Sequence, residues 1–334
     1  MIRRSLLKLA NPQLLALVGV LLINWLLFPN FFRVTWQDGR LFGSVIDVIN
    51  RGAPVAILAI GMAGVIATKG VDLSVGAVMA VAGAVAATLV VAGYPAPVAV
   101  GAALIVGLLC GLWNGILVAI LDIQPIIATL VLMVAGRGIA QLITEGFIVT
   151  FNDPVLIFIG TGSFLGLPMA AVIALVLMIV VTLIVRRTAI GLFIEAVGVN
   201  RSAASLAGIR SRMLLLLVYS LSGFCAAIAG IIVAGDIRGA DANNAGLWLE
   251  LDAILAVVIG GTSLLGGRFS IPLAVVGALI IQAMNTGILV SGFPPEFNLI
   301  VKAGLIFIVL IIQSPLASRL VPPRLAPVAK GSAK

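Results

Sequence analysis

The sequence predicts an all-α integral membrane protein with about ten transmembrane segments, of which at least one is a broken or half-depth helix. Apolar residues make up 62% of the 334-residue chain, charged residues only 10%, and the mean hydropathy is +1.28. A soluble globular protein is about 45–50% apolar and about 25% charged, so this chain lacks the polar surface that a soluble fold needs. Its apolar runs approach the roughly 20 residues of a membrane-crossing helix and are too long for barrel strands.

Ten apolar segments divide the chain. The eighth is too short to cross about 30 Å of hydrocarbon unaided, and it runs into Gly260 and Gly261, so we predict that its helix breaks there. Such a break is tolerated only where the backbone is buried in protein or faces a cavity. The predicted segments are 13–29, 53–68, 75–92, 96–121, 125–143, 169–185, 213–235, 253–265, 271–290 and 299–314.

The distribution of charge predicts the orientation. With the N-terminus inside, the inner connections hold 14 basic and 3 acidic residues, whereas the outer connections hold 5 basic and 9 acidic residues. Cytoplasmic loops carry the excess of Lys and Arg, so both termini are predicted to be cytoplasmic. The net charge of +8 is therefore an orientation signal and does not indicate nucleic-acid binding. We expect residues 1–334 to form one transmembrane domain with an inner loop at 186–212 and outer loops at 30–52, 144–168 and 236–252.

The inner loop 186–212 is the strongest candidate for a contact with another protein. The residues from Arg201 onward predict one short helix, which Asn200 can cap and Gly208 can end in a left-handed conformation. The small, neutral Ala and Ser side chains of this helix would let it seat closely in a groove on a partner. The alternative is an ordinary cytoplasmic loop whose arginines only set the topology.

Charged residues also interrupt the spans. Lys69 and Asp72 lie between the second and third segments, shortly before Gly76. Ionisable groups at membrane depth are costly unless they are paired or hydrated, so this spacing predicts a structured break in the helix. The alternative is a tight inner turn that contains an ion pair. Arg137, within the fifth segment, must face the protein interior or water, and a pairing with Glu145 would satisfy it.

A stripe of small residues marks the fourth segment. Gly107, Gly111 and Gly115 recur at four-residue spacing. Glycines at this spacing lie on one face of a helix and let a neighbouring helix approach closely. We therefore predict a tight helix–helix contact along this face.

Uncharged polar residues predict a path for a neutral, hydrogen-bonding substrate rather than for an ion. The outer loop 236–252 combines carboxylates and amides with an aromatic ring, the groups that can bind a polyol by hydrogen bonding and ring stacking. The alternative is a solvated hairpin with an interfacial Trp. The candidates are Asn243, Asn244 and Trp248 in the loop and Asn114, Asn285 and Thr286 within the spans.

Residue types and motifs that are missing from the sequence exclude several classes of function. The chain has no histidine, which removes His-based metal sites and Ser-His-Asp catalysis, and we predict no metal site and no catalytic residue. The phosphate-binding pattern G-x-x-x-x-G-K-[ST] is absent, so we expect the chain to bind no ATP or other cofactor itself. The energy for uphill transport would then come from a partner.

Three motifs resemble those of the permease subunits of bacterial monosaccharide ABC importers, which serve ribose, xylose, arabinose and related sugars. The likeness covers essentially the whole chain. Within this family it is nearest to galactofuranose importers, through Gln37–Ser44, the outer loop 236–252 and Asn285–Glu296. The family motifs are Val71–Gly76, Ala196–Ala204 with Ala207–Ile209, and Gly260–Gly267.

The resemblance implies an ATP-driven sugar importer in the bacterial inner membrane, with the outer loops in the periplasm. It implies three protein partners besides the membrane lipid: a cytoplasmic ABC ATPase that carries ATP and Mg²⁺, a second related permease in a heterodimer, and a periplasmic sugar-binding protein. The segment Asn200–Gly208 is similar to the coupling helix that docks on the ATPase. The residues that this likeness assigns to coupling are Glu195, Gly198, Asn200, Arg201, Ala203, Ala204 and Gly208.

Other functions remain open from the sequence. The same class of permease could carry another pentose or hexose, or a branched-chain amino acid. A secondary transporter driven by an ion gradient is a further alternative. A transferase acting on lipid-linked sugars would need clustered carboxylates for Mg²⁺, such as D-D-x-x-D, and the sequence has none.

Overall fold

The computed structural model describes residues 12–37, 39–294 and 296–313. The helices in these ranges are α1 (Pro12–Leu27), α2 (Ser44–Ala67), α3 (Val75–Val91), α4 (Ala96–Ala119), α5 (Pro125–Ile143), α6 (Pro154–Thr161), α7 (Met169–Arg187), α8 (Ile190–Val199), α9 (Arg201–Leu206), α10 (Ser211–Ile237), α11 (Leu249–Ile259), α12 (Ile271–Val290) and α13 (Phe297–Gln313). Short strands form three antiparallel pairs: β1 (Thr35–Gln37) with β2 (Arg40–Phe42), β3 (Val149–Thr150) with β6 (Gly239–Ala240), and β4 (Ser163–Phe164) with β5 (Leu167–Pro168).

Six of these helices are long and apolar enough to cross a membrane, namely α2, α4, α5, α7, α10 and α12. The helices α1, α3 and α8 are apolar but shorter. Each of the ten predicted segments contains a helix in the described part of the chain. The mostly helical membrane fold is therefore confirmed, whereas the count of about ten crossings stays a prediction.

The eighth predicted segment contains a short helix, as expected. Helix α11 has 11 residues and ends at Ile259. At 1.5 Å per residue it is about 16 Å long, roughly half the hydrocarbon thickness of a bilayer. Gly260 follows the helix and Gly261 has a φ of +92°, a conformation that side chains rarely adopt, so the chain turns away at this point.

The predicted loops contain more regular structure than the sequence indicated. The outer loop 30–52 is too long, because α2 begins at Ser44 and its first two turns carry Asp47 and Arg51, whose charges resemble those of a loop. The loop 144–168 contains α6, and the inner loop 186–212 contains α8 in addition to the predicted short helix. The outer loop 236–252 includes the end of α10, the strand β6 and the first turn of α11.

The purely α-helical prediction was wrong in one detail, the three strand pairs. Strands of two or three residues are too short to show the alternation of apolar and polar residues on which a strand prediction depends. In the β4–β5 hairpin both turn residues, Leu165 and Gly166, have positive φ values of +52° and +83°. Two such residues match the right-handed twist of a tight hairpin, but Leu at the first position hides the signal.

The core of the bundle surrounds α2 and α10. Residues 52–67 of α2 are all buried, and α10 packs on α2, α3, α4 and α6. The peripheral helices α5 and α7 instead expose large apolar side chains, among them Val134, Leu142 and Ile179. Such an exposed apolar surface suits contact with lipid chains.

The predicted glycine stripe forms the closest helix contact. Gly107 lies against Gly223 and Ala227 of α10, and Gly111 lies against the backbone of Tyr219 and Ser220. Gly115 completes the contact against Leu216. A Cβ atom at Gly107 or Gly111 would collide with the backbone of α10, so the prediction of tight packing is confirmed.

Candidate functional site

Helices α8 and α9 form one unit at the end of the bundle where α2 ends. The side-chain oxygen of Asn200 accepts a hydrogen bond from the backbone N–H of Ala203 at 3.0 Å and so caps α9. Gly208 follows the helix with a φ of +87°. Both local predictions are confirmed. We call residues 190–209 the coupling segment.

The coupling segment is anchored to the inner end of α2. Gly198 lies directly against the carbonyl oxygen of Ala67, where any side chain would collide. The same carbonyl accepts a hydrogen bond from the N–H of Gly267 at 2.9 Å. Lys69 donates from its ammonium group to the carbonyl of Val199 at 3.0 Å. The end of α2, the glycine-rich turn after α11 and the end of α8 therefore meet at one point.

Helix α9 is tied to α4 by Arg201. Its guanidinium forms a salt bridge with Asp122 at 2.9 Å and donates to the carbonyl of Ala119, the last residue of α4, at 3.2 Å. Ala204 is only 5% exposed and packs in a small apolar core with residues of α8 and α10. This side chain supports the helix from below.

The exposed face of α9 differs from the sequence-based expectation. Ala203 is exposed as expected, but the most prominent side chain is Leu206, which is 92% exposed and which sequence reasoning missed. A six-residue helix is too short for its sequence to reveal which face is buried. An open groove of about 990 Å³ runs beside the helix, lined by Leu206 together with Asp122, Arg201, Arg210 and Arg212. Glu195, on α8, is half-buried.

A buried polar cluster closes the break between α2 and α3. Asp72 is 1% exposed and accepts hydrogen bonds from the Ser74 N–H at 3.0 Å, the Ser74 hydroxyl at 2.6 Å and the Ser222 hydroxyl at 2.7 Å. The Asn114 amide donates to the Ser74 hydroxyl at 2.8 Å. We call these four residues the Asp72 cluster. It joins the turn to α4 and α10, so the break in the helix is a structured one.

The cluster changes the interpretation of two residues. Lys69 bonds to Val199, as described above, and not to Asp72, so the alternative of an ion pair within the turn is wrong. Asn114 is 0% exposed inside the cluster and lines no described cavity. The structure therefore places this candidate for the substrate path in a structural network.

The outer loop 238–248 is held by α5. Arg137 donates to the carbonyl groups of Ala242 at 2.9 Å and Ala245 at 2.7 Å. Gln141 donates to the side chain of Asn243 at 2.7 Å. The expected pairing of Arg137 with Glu145 is wrong, because the guanidinium binds the loop backbone instead.

Asp241 organises the turn within this loop. Its carboxylate accepts hydrogen bonds from the backbone N–H groups of Asn243 and Asn244 and from the Asn244 side chain at 2.8 Å. The bond from the Asn244 side chain contributes most to lowering the pKa of Asp241, because it favours the ionised form. Two of the candidates for sugar contact thus already have partners in the loop.

The same loop reaches the beginning of α3. The carbonyl of Gly246 and the carboxylate of Glu250 lie against Gly76, so a side chain at Gly76 would displace the loop. Trp248 adopts a positive φ of +66° and leaves its ring half-exposed. The predicted break residues Gly76 and Gly260 therefore lie at close backbone contacts, Gly76 with this loop and Gly260 with the first turn of α12.

A polar cavity of about 280 Å³ lies at the other end of the bundle from the coupling segment. Helices α2, α6, α7, α10, α11, α12 and α13 surround it. We use the name polar cavity for the space that these helices enclose; its charged and amide residues are Asn50, Arg51, Asp236, Asp252, Gln282, Asn285 and Lys302.

One ion pair crosses the wall of the polar cavity. The ammonium of Lys302 lies 2.7 Å from one carboxylate oxygen of Asp252, which is only 2% exposed. The other carboxylate oxygen of Asp252 has no hydrogen-bond partner among the described residues. Thr286 lies behind the wall and is the nearest acceptor to the Gln282 amide, at 3.5 Å.

The polar cavity contains one of the sequence-predicted candidates, Asn285, but not Asn243, Asn244 or Trp248. Sequence reasoning missed Arg51, Asp236, Asp252 and Lys302, because it counted them as charges of the outer connections. The signal that could have found them is the presence of both signs of charge at the ends of apolar segments.

Comparison with known proteins gives consistent matches. Residues 44–310 match the family described as branched-chain amino acid transport system / permease component. The galactofuranose transporter permease protein YtfT of Escherichia coli is 66% identical over 303 residues, which are 91% of this chain and 89% of that protein. The fructose import permease protein FruF of Bifidobacterium longum is 41% identical over 91% of this chain and 87% of its own length. The ribose import permease protein RbsC of Escherichia coli is 37% identical over 91% of this chain and 93% of its own length. No solved structure matches the chain.

Proposed function

The chain belongs to the family of branched-chain amino acid transport system permease components, and we propose that it is the permease subunit of an ATP-driven importer that carries galactofuranose across the bacterial inner membrane. The observation that supports this most strongly is the similarity along nearly its whole length to a galactofuranose transporter permease. The sugar import permeases among its other relatives support the same class of substrate.

The proposed importer contains three further components. A cytoplasmic ABC ATPase binds and hydrolyses ATP with Mg²⁺, since this chain has no phosphate-binding motif of its own. A second related permease completes a heterodimer in the membrane lipid, and a periplasmic protein delivers the sugar. The chain itself binds no cofactor and no nucleic acid.

In the proposed topology the chain crosses the membrane about ten times and both termini are cytoplasmic. The six long apolar helices are joined by α1, α3, α11 and α13. The excess of Lys and Arg in the inner connections supports this orientation. It places the coupling segment in the cytoplasm and the polar cavity toward the periplasm.

The coupling segment is the proposed docking site for the ATPase. Movement of α9 would act on α4 through Arg201 and on the inner end of α2 through Gly198, while Asn200 and Gly208 keep the helix intact. ATP can shift the permease between outward- and inward-open states only if the ATPase binds the two states with different affinity. Ala203 and Leu206 would contact the ATPase, and Glu195 and Ala204 would support them.

The substitution Leu206→Glu should weaken this docking. A charge at the most exposed apolar position of α9 would have to be buried in the interface, and we expect the affinity of the ATPase to fall about tenfold or more. The measurement is a binding titration of the ATPase against the purified permease in detergent. Leu165→Glu is the matched control, because Leu165 is equally exposed but lies at the opposite end of α7. Equal affinity for both variants would contradict the assignment.

Proteoliposomes that hold the complete importer distinguish the proposal from a secondary transporter. Uptake of sugar should require ATP on the ATPase side and should continue when ionophores collapse all ion gradients. Uptake that stops with the gradients and proceeds without ATP would show the ion-driven alternative to be correct.

The chemistry of the polar cavity favours a sugar over a branched-chain amino acid. An aliphatic side chain needs an apolar pocket, whereas charged and amide side chains supply hydrogen bonds that suit hydroxyl groups. Another pentose or hexose of similar size remains the nearest alternative substrate.

A further inference from the structure

The polar cavity has a composition that is costly for a membrane protein. Arg51 and Lys302 provide two positive charges, and Asp236 and Asp252 provide two negative ones. Ionisable groups within spans are rare and usually mark a substrate or ion pathway. Only one pair among these four, Lys302 with Asp252, is in direct contact. Packing therefore does not account for the whole set of charges.

One buried group of the cavity wall lacks a partner. One carboxylate oxygen of Asp252 is bound by Lys302, while the other has no hydrogen-bond donor among the described residues. A buried acceptor without a partner is costly, so a donor that enters the cavity would be stabilised there.

The Asp72 cluster shows what the same chemistry looks like when its role is structural. There a buried carboxylate is satisfied by neighbouring side chains and backbone, and Asn114 fills the remaining space. In the second half of the chain Asn285 occupies a similar local sequence, but it lines an open volume of about 280 Å³ shared with Asp252. Small-molecule sites range from roughly 300 to 1,000 Å³, so this volume suits a small ligand.

We propose that the polar cavity is the sugar-binding site of the permease, in which Asp236 and Asp252 accept hydrogen bonds from sugar hydroxyls while Asn285 and Arg51 donate to sugar oxygens. This assignment rests on the proposed function and adds the place and class of the ligand. The balanced charges select a neutral polyhydroxylated molecule and disfavour sugar phosphates and sugar acids.

The outer loop then has a different role from the cavity. Asn243 and Asn244 already bond within the loop and to α5. Leu249 and Asp252, which follow the loop in α11, are the residues that reach the cavity wall. The loop therefore positions α11 at the site, and direct sugar contacts come from the helices.

Cysteine protection tests the site directly. In the complete importer, Asn285→Cys is treated with a small water-soluble methanethiosulfonate reagent, with and without galactofuranose. We expect the sugar to slow the modification at residue 285 at least about fivefold, whereas Leu165→Cys, exposed on the β4–β5 hairpin, should react equally in both conditions. Asn50→Cys provides a second position in the cavity if the first variant does not fold. The wild-type protein, whose Cys110 and Cys225 are its own thiols, gives the background.

A kinetic measurement separates sugar contact from a structural role. Asp236→Asn keeps the size of the side chain and removes its charge, and we expect the KM for uptake to rise about tenfold, as for a lost hydrogen bond to a charged group. Uptake of a sugar phosphate should stay undetectable in the wild type.

The outcomes distinguish this proposal from the proposed function. Wild-type uptake of sugar combined with unprotected cysteines at positions 285 and 50 would overturn the cavity assignment alone. A lower maximal rate with an unchanged KM in Asp236→Asn would likewise overturn direct contact. A wild-type complex that takes up no sugar with ATP would overturn both the function and the site.

Discussion

Replacing Asp72 with alanine should lower the free energy of unfolding by about 3 kcal/mol or more. The carboxylate accepts three hydrogen bonds from Ser74 and Ser222 in a fully buried site, and its removal leaves these donors without an acceptor. Hydrogen bonds to a charged group contribute about 1.5–3 kcal/mol each, and a buried donor without a partner costs about 1–3 kcal/mol. The break between α2 and α3 would then lose its connection to α10.

The measurement is chemical unfolding of the purified protein in mixed detergent. Ser222→Ala is the matched comparison, because it removes one donor and leaves the other bonds of Asp72 in place, so its effect should be near 1 kcal/mol. An Asp72→Ala variant as stable as Ser222→Ala would contradict the view that this cluster holds the break together.

The substitution Gly111→Val should separate α4 from α10. A side chain at this position would collide with the backbone at Tyr219 and Ser220, which cannot move without shifting the whole of α10. Overpacking of a close contact costs about 1–3 kcal/mol and occasionally more, and a backbone collision belongs at the upper end of that range.

Gly101 provides the control within the same helix. No atom outside its own helix lies within 4 Å of a Cβ built at this position, so Gly101→Val adds a side chain without a collision. Thermal unfolding in detergent should show a lower melting temperature for Gly111→Val and almost none of that loss for Gly101→Val. Equal melting temperatures would show that the glycine stripe is not a tight contact.

The positions of most helices follow directly from the sequence. Helix α5 begins at Pro125 and ends at Ile143, the predicted bounds, because a proline suits the first turn of a helix and the polar residues that follow mark the end. The cap by Asn200 and the left-handed Gly208 are equally local signals. What depends on neighbouring residues in the chain was therefore predictable.

The functional site depended on contacts that local patterns do not contain. Asn114 and Asn285 lie in similar sequences, yet one closes the Asp72 cluster and the other faces the polar cavity. The difference arises from residues far away in the chain, Ser222 in one case and Asp252 with Lys302 in the other. Charges at the ends of spans were counted as topology signals, which hid their convergence on one cavity.

The most direct test of the central claim is ATP-dependent uptake by the complete importer in proteoliposomes. Radiolabelled galactofuranose, ribose, fructose and leucine are compared at equal concentrations, with and without ATP. We expect ATP-dependent accumulation that is fastest for galactofuranose and absent for leucine. Accumulation of leucine, or no ATP-dependent accumulation of any of the sugars, would contradict the assignment of this chain as the permease of a sugar importer.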